Sequence, residues 1–219
     1  MQKVDVEQAL LKKEYLRKMN YLAHLYLSGE DEHVLVGNFI GDYVKGKQFQ
    51  RYPLQVQSGI LLHRQIDWFT DRHALVKDCG NRFRENYGRY AGIVTDVIFD
   101  HFLAARWTDY SASPLRPFAK KVHAVLLTNF ALLPKRVKLF LPFIIQHKRL
   151  ESYASLEGIH ESLAIMGTRT SLPEEADFAL EVLQRDYESI RQEFEAFFAE
   201  LVDFVEANFE VYIQKPALK

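Results

Sequence analysis

The stretch GILLHRQIDWFTDRH, residues 59–73, has the pattern of an α-helix that carries a polar line on an apolar body. His63, Asp67 and Asp71 recur at intervals of four residues, which places successive members on one face of a helix. The positions between them are large and apolar, as in a protein core: Ile60, Leu61, Leu62, Ile66, Trp68 and Phe69. A carboxylate buried in such surroundings is costly unless it is paired, hydrogen-bonded or bound to a metal ion. Either this polar line faces solvent, or a partner compensates its charge.

Helical spacing continues along nearly the whole chain, with glycines and prolines between the periodic segments and no clear strand or hairpin pattern. We therefore predict an all-α fold, a single-domain helical bundle formed by residues 19–219. Residues 1–18 are predicted to be an N-terminal extension, a peripheral helix without catalytic residues. Helices are expected at 4–18, 19–27, 34–45, 53–71, 74–86, 89–107, 114–131, 135–147, 151–165 and 174–211.

The composition favours a soluble, cytoplasmic protein. Of its 219 residues 48% are apolar, which is sufficient for a conventional core, and the formal net charge is −1. Proteins that bind nucleic acid generally carry a basic excess, so no nucleic-acid partner is expected. The single cysteine, Cys79, excludes an internal disulfide and fits a reducing cytosol. No apolar run reaches the length of about 18–20 residues that a membrane span needs, and the first residues lack the apolar stretch of a signal peptide.

Charge is distributed unevenly along the chain. Residues 110–150, the basic segment, contain eight Lys or Arg residues and no Asp or Glu, whereas residues 174–210, the acidic segment, contain twelve acidic and two basic residues. A basic segment can steer an acidic partner, and the acidic one has the pattern of a solvated helix face. The alternative, which the sequence leaves open, is that the two segments pack together and neutralise each other.

Three further apolar segments contain isolated polar side chains. His24 lies in MNYLAHLYLS and Asp42 in GNFIGDYVKG, while GIVTDVIFDHFLAARW contributes Asp96, Asp100 and His101. Helical bundles build metal sites from ligand pairs on two helices and single ligands from others. Imidazole with carboxylate suits Mn²⁺ or Fe²⁺, and Mg²⁺ less well. We therefore predict a divalent metal site with this pool of ligands: His24, Asp42, His63, Asp67, Asp96 and Asp100.

Each of these residues also has an ordinary explanation. A lone histidine such as His24 is more often a satisfied core residue, and Asp71 followed by Arg72 can serve as a cap or an ion pair. Asp96 and Asp100 are harder to explain in this way, because two like charges one helical turn apart repel unless a cation or protons separate them. Taken jointly, the four segments favour a metal or catalytic site.

Angles on an ideal helix separate the expected ligands from their neighbours. Asp71 is turned by about 80° from His63, and His101 by about 100° from Asp100. We expect Asp71 to orient a ligand, and His101 to orient a ligand, to contact phosphate or to be a further ligand. Glycines recur close to the polar positions and permit close approach of backbones: Gly37, Gly41, Gly59 and Gly92.

Four motifs, MNYLAHLYLS, GNFIGDYVKG, GILLHRQIDWFTDRH and TDVIFDHFLAARW, resemble in order and spacing those of the bacterial acyl carrier protein phosphodiesterase family. The resemblance is strong from Met19 to Trp107 and looser beyond, where a short MGTRT element at 166–170 also corresponds. It implies a metal-dependent phosphodiesterase, preferably with Mn²⁺, that hydrolyses 4′-phosphopantetheine from a serine of holo-acyl carrier protein. It also implies an all-helical fold distantly similar to HD-type phosphohydrolases. His24 and Asp42 match family positions thought essential, and five residues match its other polar positions: His63, Asp67, Asp96, Asp100 and His101.

The expected mechanism follows from these residues and the resemblance. A divalent ion lowers the pKa of bound water and offsets charge on the phosphoryl oxygens. We expect Asp42, Asp67 or His101 to act as the base or the leaving-group acid. Arg64 and Arg72 can clamp phosphate, with surface ion pairing as the alternative. Acyl carrier proteins are small and acidic, so the basic segment is the expected docking face.

Two other functions stay open at this stage. The same chemistry can act on a nucleotide or another small phosphodiester, and its rate should then respond less to salt than docking of a charged protein does. Alternatively, the chain is a non-catalytic helical module that binds an acidic partner. In that case Mn²⁺ should not raise its thermal stability.

Overall fold

A computed structural model of the chain describes residues 21–213 and Pro216, and it is all-α. None of the described helices is long and apolar enough to cross a membrane. The predicted helix 4–18 lies outside the described residues. Within them, thirteen α-helices follow one another without a β-strand: α1 Leu22–Tyr26, α2 Glu32–Ile40, α3 Leu54–Arg72, α4 Ala74–Asn81, α5 Arg84–Tyr87, α6 Ala91–Ala105, α7 Trp107–Tyr110, α8 Leu115–Thr128, α9 Lys135–Gln146, α10 Arg149–Ser152, α11 Leu156–Arg169, α12 Ala176–Arg185 and α13 Tyr187–Asn208. Short 3₁₀ segments lie at Gly41–Tyr43, Gly46–Arg51, Gly88–Tyr90 and Phe130–Leu132.

The prediction of one long helix over 174–211 is wrong, because α12 and α13 meet at a break. Asp186 stands between them with φ −107° and ψ 17°. Its carboxylate accepts hydrogen bonds from Arg185 and lies 3.6 Å from the guanidinium of Arg82. The apolar stripe continues across this break, which is why spacing alone did not reveal it. Three other predicted helices, 74–86, 89–107 and 151–165, are likewise each divided in two.

Close contact between α2 and α3 determines where the polar side chains of α3 point. The two helices meet at Gly37 and Gly59, and a Cβ atom on either glycine would stand 2.9 Å from the Cα atom of the other. Only glycine on both helices allows this approach. Gly92 is different, since a Cβ atom there would meet nothing within 4 Å. The expectation that Gly92 permits close packing is therefore wrong.

Helix α6 is buried along most of its length and forms the centre of the fold. Its rings pack against α13: the centroids of Phe99 and Phe194 lie 5.4 Å apart, and those of Phe102 and Phe194 lie 5.9 Å apart. On its other side α6 meets α1. The polar residues of α6 are therefore carried into the interior by aromatic packing on the opposite face.

Some described ion pairs lie inside the acidic segment, others reach to other parts of the chain, and none of those described joins the two charged segments. In the acidic segment, Glu193 pairs with Arg82 and Glu200 with His73. In the basic segment, Lys121 pairs with Glu30 at 2.6 Å. The described ion pairs therefore do not support the alternative in which the basic and acidic segments pack together and neutralise each other.

Candidate metal centre

Three of the predicted ligands converge on one point. His24 of α1 and His63 and Asp67 of α3 each offer a ligand atom, and these atoms all lie within 4.8 Å of one another. The two imidazole rings are stacked, with centroids 4.2 Å apart. Both histidines are buried, whereas the Asp67 side chain is 39% exposed. The group has the donor set and the spacing needed to hold a divalent metal ion.

Asp42 joins this group from the 3₁₀ turn that follows α2. Its Oδ1 atom lies 3.3 Å from His63 Nε2. The turn approaches the ring closely because residue 41 is glycine: a Cβ atom on Gly41 would collide with the His63 imidazole. The change from α-helix to 3₁₀ geometry at Gly41 thus places the Asp42 carboxylate beside the other ligands.

The Nε2 atom of His63 lies close to two carboxylates. The nitrogen lies 3.3 Å from Asp42 and 3.4 Å from Asp67, yet neither ring nitrogen of His63 makes a hydrogen bond to any described residue. Burial, reinforced by the neighbouring His24, lowers the pKa of His63, so the ring is held neutral. Two imidazole nitrogens and two carboxylates close to one another are a donor set that binds divalent cations, so the residues present fit a metal ion.

Asn38 orients His24, and inspection of the sequence did not single it out. Its amide nitrogen donates to the His24 carbonyl at 2.6 Å and to Ser28 Oγ at 3.0 Å, so its Oδ1 atom faces His24 Nδ1 at 3.0 Å and accepts from it. The proton is thereby held on Nδ1, and His24 Nε2 is directed at Asp67, 3.4 Å away. The sequence indicates this role only through the presence of a carboxamide on an otherwise apolar helix. A carboxamide needs hydrogen-bond partners when it is buried.

The charges of His24 and Asp67 support each other. Burial opposes protonation of His24, but Asp67, Asp42 and the hydrogen bond to Asn38 together outweigh it and raise the pKa of the imidazole. Burial likewise opposes ionisation of Asp67, and His24 holds its pKa below the ordinary value. The two side chains therefore favour a protonated imidazole that faces an ionised carboxylate.

Replacing Asn38 by alanine is expected to weaken Mn²⁺ binding by about 10–100-fold, the usual cost of losing a group that orients a metal-bound histidine. Calorimetric titration with Mn²⁺ measures the change. Ser28→Ala is the matched control, since it removes another partner of Asn38 but leaves the contact with His24 Nδ1 in place. Equal Mn²⁺ affinities for the Asn38 variant and wild type would contradict the assigned role.

Asp96 and Asp100 of α6 lie at a small cavity of about 50 Å³ beside these ligands. His24, Asp67 and Asp71 also line it, and the larger apolar residues of its lining are Ile66, Phe99, Phe197 and Leu201. Burial, and then the charge of Asp67, raise the pKa of Asp96 well above its ordinary value. A carboxylate in this position is stabilised by a nearby cation.

Asp100 has a structural task that its spacing did not reveal. Its carboxylate accepts hydrogen bonds from the backbone N–H groups of Leu22 at 3.0 Å and Ala23 at 2.9 Å, at the start of α1. Burial raises the pKa of Asp100 to about 6, and these two donors oppose the rise. Asp100 therefore fixes the helix that carries His24.

The structure does not bring His101 to the metal centre. Its Nδ1 atom lies 2.8 Å from the Tyr153 carbonyl and its Nε2 atom 3.0 Å from the Tyr187 hydroxyl. Burial lowers its pKa. On an ideal helix His101 is turned by about 100° from Asp100. His101 therefore faces α13, whereas Asp100 faces α1.

Arg64 and Arg72, the two arginines predicted to bind phosphate, lie in different surroundings. The guanidinium of Arg64 donates to the carbonyls of Val44 at 2.8 Å and Gly46 at 2.9 Å, and so holds the loop that follows Asp42. Arg72 is exposed and lies over the Trp68 ring, 4.8 Å from its centroid.

Comparisons with known proteins agree with the resemblance seen in the motifs. The family model described as acyl carrier protein phosphodiesterase matches residues 19–201, well beyond Trp107. A protein of that name from Serratia proteamaculans is 33% identical over 84% of this chain and 96% of its own length. Proteins of the same name from Yersinia pestis and Salmonella agona are 34% and 36% identical, each over 69% of this chain and 79% of their own. No solved structure matches. The chain belongs to the acyl carrier protein phosphodiesterase family.

Proposed function

We propose that this protein is a cytoplasmic, divalent-metal-dependent phosphodiesterase that hydrolyses 4′-phosphopantetheine from the serine of holo-acyl carrier protein. One observation carries the proposal: the buried Nε2 atom of His63 lies within 3.4 Å of two carboxylates, next to the imidazole of His24. This arrangement lies in a chain of a family named for that activity. A metal-assisted hydrolysis accounts for both facts.

His24, His63, Asp67 and Asp42 are the residues proposed to hold the ion, with Asp96 and Asp100 at the adjoining cavity. Mn²⁺ is the proposed metal, since the donor set mixes imidazole with carboxylate. A divalent ion supplies positive charge against the phosphoryl oxygens and lowers the pKa of water. Asn38 keeps the proton of His24 on Nδ1, so that Nε2 faces the ion.

Asp42 and Asp67 are the proposed groups for proton transfer, because their oxygens lie around the same point as the imidazole nitrogens. His101 is reassigned as a positioning residue that ties α6 to Tyr153 and Tyr187. Arg64 is assigned to the loop after Asp42. Arg72 stays the proposed phosphate contact, since its guanidinium is exposed on the helix that carries Asp67.

The proposed partner is the acyl carrier protein, with no nucleic acid or membrane involved. The basic segment stays its proposed docking face, and one contact supports this placement. The ring of Phe140, on α9, lies 5.5 Å from that of Tyr43, the residue after Asp42. A carrier protein docked on α9 would therefore approach the metal centre from its Asp42 side.

Intact-protein mass spectrometry of holo-acyl carrier protein tests the proposal. With enzyme and Mn²⁺ the carrier protein should lose the mass of phosphopantetheine, and with a chelator it should not. The rate should fall steeply with added salt, because the docking of charged proteins is screened. Hydrolysis of bis(4-nitrophenyl) phosphate without any change in the carrier protein would instead identify a phosphodiesterase for small substrates.

Mn²⁺ should also stabilise the fold. An ion present at a hundredfold excess over its dissociation constant adds about 2.7 kcal/mol to the free energy of unfolding. Thermal unfolding with and without Mn²⁺ measures this gain. An unchanged melting temperature together with no mass shift would favour a non-catalytic binding module.

A further inference from the structure

A second, larger cavity adjoins the metal centre. Its volume is about 510 Å³, and it is formed by α4, α5, the 3₁₀ turn after them and the first residues of α6. Asp71 lines both this cavity and the small one beside the metal ligands. The two spaces are therefore neighbours on one face of the molecule.

Three cationic side chains line this cavity, which we call the basic cavity: Lys77, Arg84 and Arg89. No ion pair joins any of them to a carboxylate in the part of the chain that the structure describes. Lys77 donates to the Arg72 carbonyl at 3.2 Å, and Arg89 donates to the Tyr90 hydroxyl at 2.8 Å. Asp71 is the acidic residue in the lining, so cations outnumber it three to one.

The neighbouring Arg82, which does not line the cavity, is ion-paired. Arg82 lies between Lys77 and Arg84 in sequence, and its guanidinium binds Glu193 at 2.6 Å and lies 3.6 Å from Asp186. The charge of Arg82 is thus neutralised by Glu193 of α13 and by Asp186 at the α12–α13 junction. Lys77, Arg84 and Arg89, which line the basic cavity, have no such ion pair among the described residues, so their charge can act on a ligand.

The start of α6 adds to the positive potential. Ala91 and Gly92, the first residues of this 15-residue helix, line the basic cavity; the Ala91 N–H donates to the Gly88 carbonyl, and the Tyr90 side chain caps none of the N–H groups that follow. Backbone N–H groups at a helix start attract anions. A Cβ atom on Gly92 would meet nothing within 4 Å, so the space next to these groups is open.

Helix geometry places the basic cavity close to the metal ligands. Asp71 follows Asp67 by one turn on α3, and Gly92 precedes Asp96 by one turn on α6. Four residues of α-helix advance by about 6 Å. Both helices thus lead from the metal centre into the same cavity over the same short distance.

We propose that the basic cavity is a second anion site, which binds a carboxylate or phosphate group of the substrate while the phosphodiester lies at the metal centre. The identity of the substrate rests on the proposed function, whereas anion binding by the cavity does not. Guanidinium and ammonium groups that are not ion-paired with a carboxylate recognise either oxyanion through charge-assisted hydrogen bonds. The site distinguishes a substrate with a second anionic group from a simple phosphodiester.

Calorimetric titration of the metal-free protein with inorganic pyrophosphate and, separately, with citrate tests anion binding directly. Arg84→Gln and Arg89→Gln should each weaken binding about tenfold, the effect of losing one charged hydrogen bond. Arg169→Gln is the matched control, an exposed arginine outside the lining, and it should bind as wild type does. Preference for pyrophosphate or for citrate identifies a phosphate or a carboxylate as the ligand. Absence of binding to wild type, or equal binding by the variants, would overturn the proposal.

Gly92→Leu gives a test that changes shape and leaves charge alone. Leucine should fill open space in the basic cavity, and because glycine disfavours a helix, the melting temperature should not fall. Anion binding should be lost. Retained pyrophosphate and citrate affinity in this variant would also count against the site.

Steady-state kinetics connect the basic cavity to catalysis. With holo-acyl carrier protein and Mn²⁺, Arg84→Gln should raise KM about tenfold with kcat unchanged. Hydrolysis of bis(4-nitrophenyl) phosphate, which has no second anionic group, should be unaffected. Should wild type fail to convert the carrier protein, the proposed function fails, while the anion titrations still decide the fate of the cavity proposal.

Discussion

Replacement of Asp67 by asparagine should lower the Mn²⁺-dependent hydrolysis rate by about a thousandfold, since metal-ion catalysis contributes several kcal/mol to transition-state stabilisation. Asparagine keeps the size of the side chain but removes the negative charge that lies 3.4 Å from both His24 and His63. Its amide would also present N–H donors to ring nitrogens that need a cation. Initial rates with holo-acyl carrier protein and with bis(4-nitrophenyl) phosphate measure the loss.

Asp203→Asn is the control for this change, an exposed carboxylate on α13 remote from the ligands in sequence. It should hydrolyse both substrates at the wild-type rate. Mn²⁺ titration should show the affinity of the Asp67 variant reduced together with its rate, and a near-ultraviolet circular dichroism spectrum like that of wild type would show that it folds. If the folded Asp67 variant kept full activity, the metal centre would have to lie elsewhere.

Alanine at Gly59 should lower the free energy of unfolding by about 3 kcal/mol, the upper part of the range for overpacking a core. The added methyl group would stand 2.8 Å from the Asn38 backbone nitrogen and 2.9 Å from the Gly37 Cα atom, and neither can rotate away. Helices α2 and α3 would have to separate, which also displaces Asp42 from His63. Urea unfolding gives the change in stability, and Mn²⁺ titration gives the accompanying loss of affinity.

Gly92→Ala is the matched comparison, because the same methyl group there meets nothing. This variant should be at least as stable as wild type, because alanine favours a helix more than glycine does. A Gly59 variant as stable as the Gly92 variant would contradict the close contact between α2 and α3.

Helical spacing predicted much of the fold and the centre of the site. His63 and Asp67 lie one turn apart on α3 and do converge, and their neighbours on other helices, His24 and Asp42, meet them. Polar side chains on apolar helices indicated the site, because burying them without a partner is unfavourable. This pattern can be read from the local sequence alone. The break at Asp186 and the role of Asn38 were missed, since both depend on partners elsewhere in the fold.

The difference between Asp100 and His101 shows where spacing stops being informative. Adjacent residues on one helix point in different directions, and periodicity does not say which neighbour each will meet. Asp100 meets the start of α1, and His101 meets Tyr153 and Tyr187. Contacts between residues so distant in sequence are decided by how the helices pack, which a local pattern does not contain.

The hydrogen bonds from Leu22 and Ala23 to Asp100 also determine when α1 can form during folding. Helix α1 has five residues, far fewer than the approximately 12–15 that an isolated helix needs to be marginally stable in water. It must therefore form together with its contact to α6, across a sequence separation of 78 residues. Closing so long a loop is slow compared with forming a single helix. His24 takes its place only when this step is complete, so a nascent chain that ends before residue 100 lacks the assembled metal centre.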